Sequence, residues 1–217
     1  MNTQNGNKVS DLIIIRAFPF LWFALSIISR AFRTSTTAIY FSAVYYWVLF
    51  IFYLATKQFR FCELLINWRG GMKFWRGVIL AFLGMIVAYA IGLLPSMLFQ
   101  LDDGMAAYRI NKPISLFLFA VTLIPLPSVV EENFFRKNII SFKSKPAVLA
   151  TTFIGLFLYA VSHTFNPIGI FSAFMWGVPL AIAYIKTKNI YIPITAHLIA
   201  NILMNGMDAI TIFKGIV

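Results

Sequence analysis

Seven long apolar segments divide this 217-residue chain, and they constrain its fold more than any other feature. A stretch of about 20 predominantly apolar residues is long enough for one α-helix to cross the hydrocarbon core of a bilayer. The pattern therefore predicts a chain that crosses a membrane about seven times. The predicted spans are 12–29, 36–56, 77–100, 114–135, 146–163, 169–185 and 190–210.

The overall composition supports the same conclusion. Hydrophobic residues make up 60% of the chain and charged residues only 12%, whereas a soluble domain has about 45–50% and about 25%. A soluble globular protein is thereby excluded. We predict an all-α, polytopic transmembrane helix bundle with about seven spans, within a range of six to eight, and an active site inside the bundle. We expect residues 1–217 to form a single membrane domain, with a motif-bearing core at about 114–210.

The fourth apolar segment contains two prolines, Pro125 and Pro127. Proline removes a backbone donor and kinks or breaks a helix. We therefore expect a short helix before the prolines and a second helix from about residue 128 to 142.

The distribution of basic residues predicts an orientation. Cytoplasmic loops of membrane proteins are enriched in Lys and Arg, and the connections 57–76, 136–145 and 186–189 carry most of the net charge of +11. These alternate connections fall on one side, which places the N-terminus in the cytoplasm and the C-terminus outside. Arg30 and Arg33 fall on the outer side, against the rule. Because the bases lie between membrane spans, we expect no nucleic-acid partner, and we predict a multi-pass protein of the cell membrane.

The connection between the second and third spans combines aromatic and basic residues. One interpretation of residues 58–76 is an interfacial helix that rests on anionic lipid and is broken at Gly70 and Gly71. The alternative is a solvated basic loop with aromatic anchors at the interface.

Few ionisable groups lie inside the apolar segments, where a charge is costly and usually faces a cavity or a partner. Among the seven acids only Glu131 and Glu132 have an apolar context, and both histidines, His163 and His197, lie in predicted spans. The single cysteine, Cys62, excludes an internal disulfide and a metal site built from several cysteines.

The two adjacent glutamates differ in their local partners. On a helix Glu132 and Arg136 share a face and can form an ion pair. Glu131 points about 100° away and has no cation nearby in the sequence, which leaves it available for chemistry. The alternative is a structural ion pair at a helix end, at the cytoplasmic interface.

His197 and Asn201 lie four residues apart on one face of the last span. Together they can present two N–H donors to one point, as an oxyanion site requires. The alternative is a hydrogen-bonding pair that holds membrane helices together. His163, taken alone, is typical of an interface histidine.

In order, these residues form three motifs: Glu131-Glu132-Asn133-Phe134-Phe135-Arg136, then Tyr159-Ala160-Val161-Ser162-His163, then His197-Leu198-Ile199-Ala200-Asn201. This pattern resembles the CPBP (Abi, CAAX protease-like) family of intramembrane proteases, whose motifs are EExxxR, FxxxH and HxxxN. The resemblance covers about 118–204. Tyr159 replaces the phenylalanine of the second motif and leaves the histidine in register.

The resemblance implies specific roles. Glu131 would activate a water molecule that His163 helps to hold, and His197 with Asn201 would stabilise the oxyanion formed on the peptide carbonyl. The ion pair of Glu132 and Arg136 would fix the helix that bears Glu131, with Tyr159 beside the site.

A zinc ion is a further implication, because the family has often been described as metalloproteases. Glu131, His163 and His197 would then supply three ligands, with water as the fourth. The sequence has no HExxH spacing, and we favour a metal-independent glutamate and histidine hydrolase.

The predicted function is therefore an endopeptidase that cleaves a peptide or protein substrate at the membrane, with lipid as its other partner. A second hypothesis is a non-enzymatic membrane protein, such as a bacteriocin-immunity protein or a regulator of a sensor kinase, since such roles are described in this family. A third is a small transporter or channel with a proton relay. The sequence does not indicate whether the substrate is prenylated.

Overall fold

The computed structural model describes residues 3–105 and 108–216, and it describes side chains for 16–105 and 108–215. This part of the chain is helical and contains no β-strand. The helices are α1 (Thr3–Ser29), α2 (Ala38–Ala55), α3 (Phe61–Trp68), α4 (Met72–Phe99), α5 (Pro113–Leu123), α6 (Leu126–Glu131), α7 (Lys145–His163), α8 (Pro167–Thr187) and α9 (Tyr191–Ile216). A short 3-10 helix, Arg30–Phe32, follows α1, and a π-helical segment, Glu132–Asn138, continues α6.

Six segments of the described part are long and apolar enough to cross a membrane, so this is a multi-pass integral membrane protein. They are Ala38–Ala55, Met72–Phe99, Pro113–Asn138, Lys145–His163, Pro167–Thr187 and Tyr191–Gly215. The predicted helix-bundle fold is confirmed, and six of the seven predicted spans match these segments. The remaining predicted span, 12–29, falls within α1, and its first four side chains lie outside the described residues.

The predicted break in the fourth span is present. Helix α5 ends at Leu123, α6 begins at Leu126, and Pro125 stands between them. Because Pro125 has no N–H group, it cannot continue the hydrogen-bond ladder of α5. The second piece ends at Asn138, four residues before the expected end.

The basic connection between α2 and α4 contains a helix. Helix α3 occupies 61–68, and Gly71 then adopts a φ of +72° immediately before α4. That left-handed conformation suits glycine, which explains why the helix breaks at the glycine pair. Apolar side chains of this segment are exposed, including Phe61, Leu65 and Ile66.

The three basic connections lie together at one end of the bundle. Asn189 Nδ2 donates to Asn67 Oδ1 over 2.6 Å, and Lys188 Nζ lies 5.5 Å from the centre of the Phe142 ring. At the other end, Arg109 N donates to Ser35 O. The three basic connections therefore share one end of the bundle, whereas Arg109 lies at the other end.

Helix α8 lies at the centre of the packing, against α4 on one side and α7 on the other, while α9 packs on α4, α5, α6 and α8. Small residues allow this close approach. A Cβ atom at Gly92 of α4 would lie only 3.1 Å from Ser172 Cα of α8, and Ser172 Oγ donates to Gly92 O over 2.6 Å. Such contacts are typical of membrane helix interfaces.

Candidate active site

A cavity of about 1450 Å³ opens inside the helix bundle. Its lining includes residues from α1, α2, α4 and every later helix. All four residues predicted to be catalytic lie on the lining, together with Tyr159: these are Glu131, His163, His197 and Asn201. Glu132 and Arg136 are not part of the lining and are buried behind it.

The two glutamates stand where α6 changes into the π-helical segment. Glu131 is the last residue of α6, and Glu132 is the first residue with π-helical hydrogen bonding. Their exposed fractions are 3% and 0%. Short π-helical segments are rare and occur frequently at functional sites. This one directs one carboxylate to the cavity and the other to the protein interior.

Glu132 forms the predicted ion pair with Arg136. Oε1 of Glu132 lies 3.3 Å from Arg136 Nη1. The two atoms form an ion pair but do not have hydrogen-bond geometry. The guanidinium group also donates from Nη2 to Gly177 O over 3.1 Å, and its Cζ lies 4.6 Å from the centre of the Tyr159 ring. Arg136 thus connects the π-helical segment to α8 and α7.

His197 of α9 meets both glutamates. Its Nδ1 atom lies 2.9 Å from Glu132 Oε1, and its Nε2 atom lies 4.0 Å from Glu131 Oε2. Since a carboxylate that is paired with an arginine accepts hydrogen bonds, Nδ1 carries a proton and donates to Glu132. The ring is thereby held so that Nε2 faces Glu131 and the cavity.

Sequence reasoning did not predict the contact between Glu132 and His197. Sixty-five residues separate the two side chains, and helical periodicity gives the face of each helix but not which faces meet. No local signal in the sequence indicates this contact.

Tyr46 of α2 is a site residue that sequence reasoning missed. Its hydroxyl donates to Glu131 Oε1 over 2.5 Å, a length typical of a hydrogen bond to an ionised acceptor. The only sequence signal for Tyr46 is a hydroxyl inside an apolar span. This signal is weak because the chain contains nine tyrosines. The other oxygen, Glu131 Oε2, has no hydrogen-bond partner in the described part of the chain.

His163 ends α7 and lines the cavity. Its Nδ1 atom lies 2.8 Å from Tyr159 O and 3.1 Å from Ser162 Oγ. A carbonyl oxygen only accepts, so Nδ1 carries the proton and Nε2 is the atom left for a ligand. The Tyr159 ring supports this orientation, with the two ring centres 4.5 Å apart.

Asn201 lies one turn after His197 on α9. Its Nδ2 atom is buried and has no hydrogen-bond partner among the residues that the structure describes. An unsatisfied buried donor costs free energy, so a donor that lines a cavity is suited to binding an acceptor there.

The suggested zinc ligands do not assemble into a metal site. Within the described residues, no group of three His, Cys, Asp or Glu side chains is arranged to hold a metal ion. Glu131, His163 and His197 therefore do not fit a zinc ion in this arrangement.

Comparison with known proteins gives one match. The family model described as "Rce1-like: Type II CAAX prenyl endopeptidase Rce1-like" matches residues 113–203. No curated protein and no solved structure matches the chain. The matched segment begins with α5 and ends shortly after Asn201, so it contains all three motifs, and the predicted resemblance is confirmed. Residues 113–203 are therefore similar to the Rce1-like family of type II CAAX prenyl endopeptidases, a CAAX protease family within the CPBP (Abi) proteins.

Proposed function

We propose that the protein is an intramembrane endopeptidase that hydrolyses a peptide bond of a membrane-associated peptide or protein. The observation that carries this proposal is the pair of atoms Glu131 Oε2 and His197 Nε2, which lie 4.0 Å apart on the lining of the cavity. The carboxylate oxygen has no partner in the described part of the chain. The match of residues 113–203 to the model of a protease family supports the same activity.

Glu131 acts as the general base. A water molecule next to Oε2 gives one proton to the carboxylate, while its oxygen forms a bond to the carbonyl carbon of the substrate. The carbonyl oxygen becomes an oxyanion. When the intermediate collapses, the C–N bond breaks and Glu131 gives the proton to the leaving amine. Glu131 is thereby restored to its initial carboxylate form. Such proton transfer contributes about 10²- to 10⁴-fold to the rate.

His197 and Asn201 supply donors to the oxyanion. With an N–H on each ring nitrogen, His197 holds Glu132 through Nδ1 and presents Nε2 to the cavity. Nε2 then donates an N–H, and Asn201 Nδ2 offers a second donor from the same helix face.

The remaining polar residues position the reacting groups. His163 presents Nε2 to the attacking water, since its Nδ1 is held by Tyr159 O. Glu132 and Arg136 orient His197 and hold the π-helical segment in place. We further propose that the protein lies in the cell membrane with its N-terminus in the cytoplasm.

The test is cleavage by purified protein in detergent. A set of membrane-associated peptides is incubated with wild type, Glu131→Gln and His163→Ala, and the products are identified by mass spectrometry. We expect Glu131→Gln to lose about 10²-fold or more in rate, and His163→Ala to lose cleavage, while both variants still accumulate in the membrane.

Glu63→Gln is the matched control. Glu63 is a partly exposed carboxylate outside the cavity lining that pairs with Arg60 over 3.1 Å and accepts from the Tyr191 hydroxyl over 2.8 Å. Because the amide oxygen of glutamine still accepts from Tyr191, we expect this variant to cleave at the wild-type rate. Cleavage that survives in Glu131→Gln would contradict the proposal. So would full biological activity of both site variants in cells, which a non-enzymatic membrane regulator would retain.

A further inference from the structure

Two arginines outside the family motifs line the cavity. Arg30 and Arg33 follow α1, are half-buried and belong to the cavity lining. They lie in the part of the chain that precedes the matched segment 113–203. They lie at the end of the bundle opposite the three basic connections, so the enrichment of Lys and Arg at that end does not explain them.

The contacts of Arg30 place it beside the proposed site. Its Nη2 atom donates to Ser162 O, the carbonyl immediately before His163, and its Cζ lies 4.9 Å from the centre of the Phe165 ring. Arg33 is held more loosely, through Nη2 and Ser26 O at 3.1 Å. Each guanidinium has five N–H donors, so most of them remain available.

No acid neutralises these two charges. Within the described residues, neither arginine forms a salt bridge. Burial, and then the positive charge of Arg33, lower the pKa of Arg30, and burial also lowers the pKa of Arg33. Two like charges held half-buried at one cavity wall oppose each other, and an anion between them would remove that cost.

We propose that Arg30 and Arg33 form a subsite for a carboxylate of the peptide substrate, and this inference rests on the proposed endopeptidase function. A guanidinium matches a carboxylate in a planar, two-point hydrogen bond. In a peptide, that carboxylate is either the C-terminus or an Asp or Glu side chain. Because Arg30 contacts the residue before His163, the subsite holds the substrate anion next to the reacting bond and thereby selects where cleavage occurs.

The first experiment measures binding without catalysis. One fluorescent apolar heptapeptide is made as the free acid, as the C-terminal amide, and as the amide with one internal Glu. Its affinity for the Glu131→Gln protein is measured in neutral detergent by anisotropy. We expect at least one carboxylate form to bind about tenfold or more tightly than the neutral amide. Comparison of the two carboxylate forms shows whether the C-terminus or the Glu side chain is recognised.

Arg33→Gln is the main variant, because the only hydrogen bond that the Arg33 side chain forms in the described part of the chain is with Ser26 O, near the end of α1. We expect Arg33→Gln, added to Glu131→Gln, to remove the preference for the carboxylate. The control is Arg109→Gln: Arg109 is exposed and does not line the cavity, so this variant should keep the preference. With the catalytic glutamate restored, Arg33→Gln should raise KM for the acid peptide about tenfold and leave kcat unchanged.

Equal binding of acid and amide peptides would overturn the subsite, as would a preference that survives in both Arg30→Gln and Arg33→Gln. Competition by phosphatidylglycerol but not by acid peptides would assign the pair to a lipid phosphate and also overturn it. If wild type cleaves nothing while the preference depends on Arg33, the endopeptidase proposal fails and the subsite stands. If wild type cleaves acid and amide peptides equally well, the subsite proposal fails and the endopeptidase proposal stands.

Discussion

The imidazole Nδ1 of His197 lies 2.9 Å from the carboxylate Oε1 of Glu132, a contact between two buried side chains on different helices. This contact fixes which nitrogen of His197 faces the cavity. We expect Glu132→Gln to reduce kcat about 10²-fold, a loss within the range that acid–base groups contribute, because a neutral amide no longer holds the proton on Nδ1. Initial rates at several substrate concentrations would measure kcat and KM separately.

Glu63→Gln serves as the control for the same chemical change at a partly exposed acid outside the cavity. The prediction requires kcat to decrease while KM changes little, since Glu132 does not line the cavity. A change confined to KM would mean that Glu132 acts on substrate binding and not on the orientation of His197.

Arg136 is buried with an exposed fraction of 1% and compensates the charge of Glu132. Removing one partner of a buried ion pair costs about 3–5 kcal/mol, whereas removing both charges costs less. We expect Arg136→Met to lower the midpoint of thermal unfolding in detergent strongly. The double variant with Glu132→Gln should recover part of that loss. If the two losses simply add, the residues do not stabilise each other.

The membrane spans and the helix break could be predicted from the sequence because their causes are local. A span is specified by its length and apolarity, and the break by the missing N–H of Pro125. The π-helical segment has no such local cause. It depends on contacts from other helices: a Cβ atom at Gly155 of α7 would lie 2.6 Å from Phe135 O, and Arg136 is held by Gly177 O of α8.

The site could be predicted only in part for the same reason. Each motif indicates one helix face, and the scarcity of charged groups made Glu131, His163 and His197 conspicuous. Their mutual contacts depend on helix rotation and tilt, which periodicity does not report. The contact between His197 and Glu132 therefore became visible only in the structure, as did the hydrogen bond from Tyr46 to Glu131.

Tyr46 donates to the oxygen of Glu131 that does not face His197. In Tyr46→Phe, that oxygen loses its charged hydrogen bond and the carboxylate loses one restraint. A hydrogen bond to a charged group is worth about 1.5–3 kcal/mol, and we expect kcat to fall about tenfold. Tyr53→Phe is the control, because Tyr53 lies on the same helix, is fully buried and does not line the cavity. Equal losses in both variants would indicate a general packing defect.

A chelator tests the choice between zinc and a metal-independent site. Because Glu131, His163 and His197 do not fit a zinc ion, we expect cleavage to continue at the same rate after dialysis against a strong chelator. Metal content measured on the same sample confirms that the treatment worked. Loss of cleavage that returns on addition of Zn²⁺ would overturn the metal-independent mechanism.

Gly177 lets α8 approach the buried guanidinium of Arg136. A Cβ atom there would lie 2.8 Å from Leu156 Cδ2, 3.0 Å from Arg136 Nη2 and 3.1 Å from Tyr159 Cδ1. Overpacking of this kind costs about 1–3 kcal/mol, so Gly177→Ala should lower the thermal midpoint and, through Arg136, the rate of cleavage. Gly206→Ala is its control in α9, where no atom lies within 4 Å of the added Cβ. That substitution should leave the midpoint unchanged or raise it, since alanine favours a helix by about 0.5–1 kcal/mol over glycine.

Equal destabilisation by Gly177→Ala and Gly206→Ala would show that the contact with Arg136 is not what constrains Gly177.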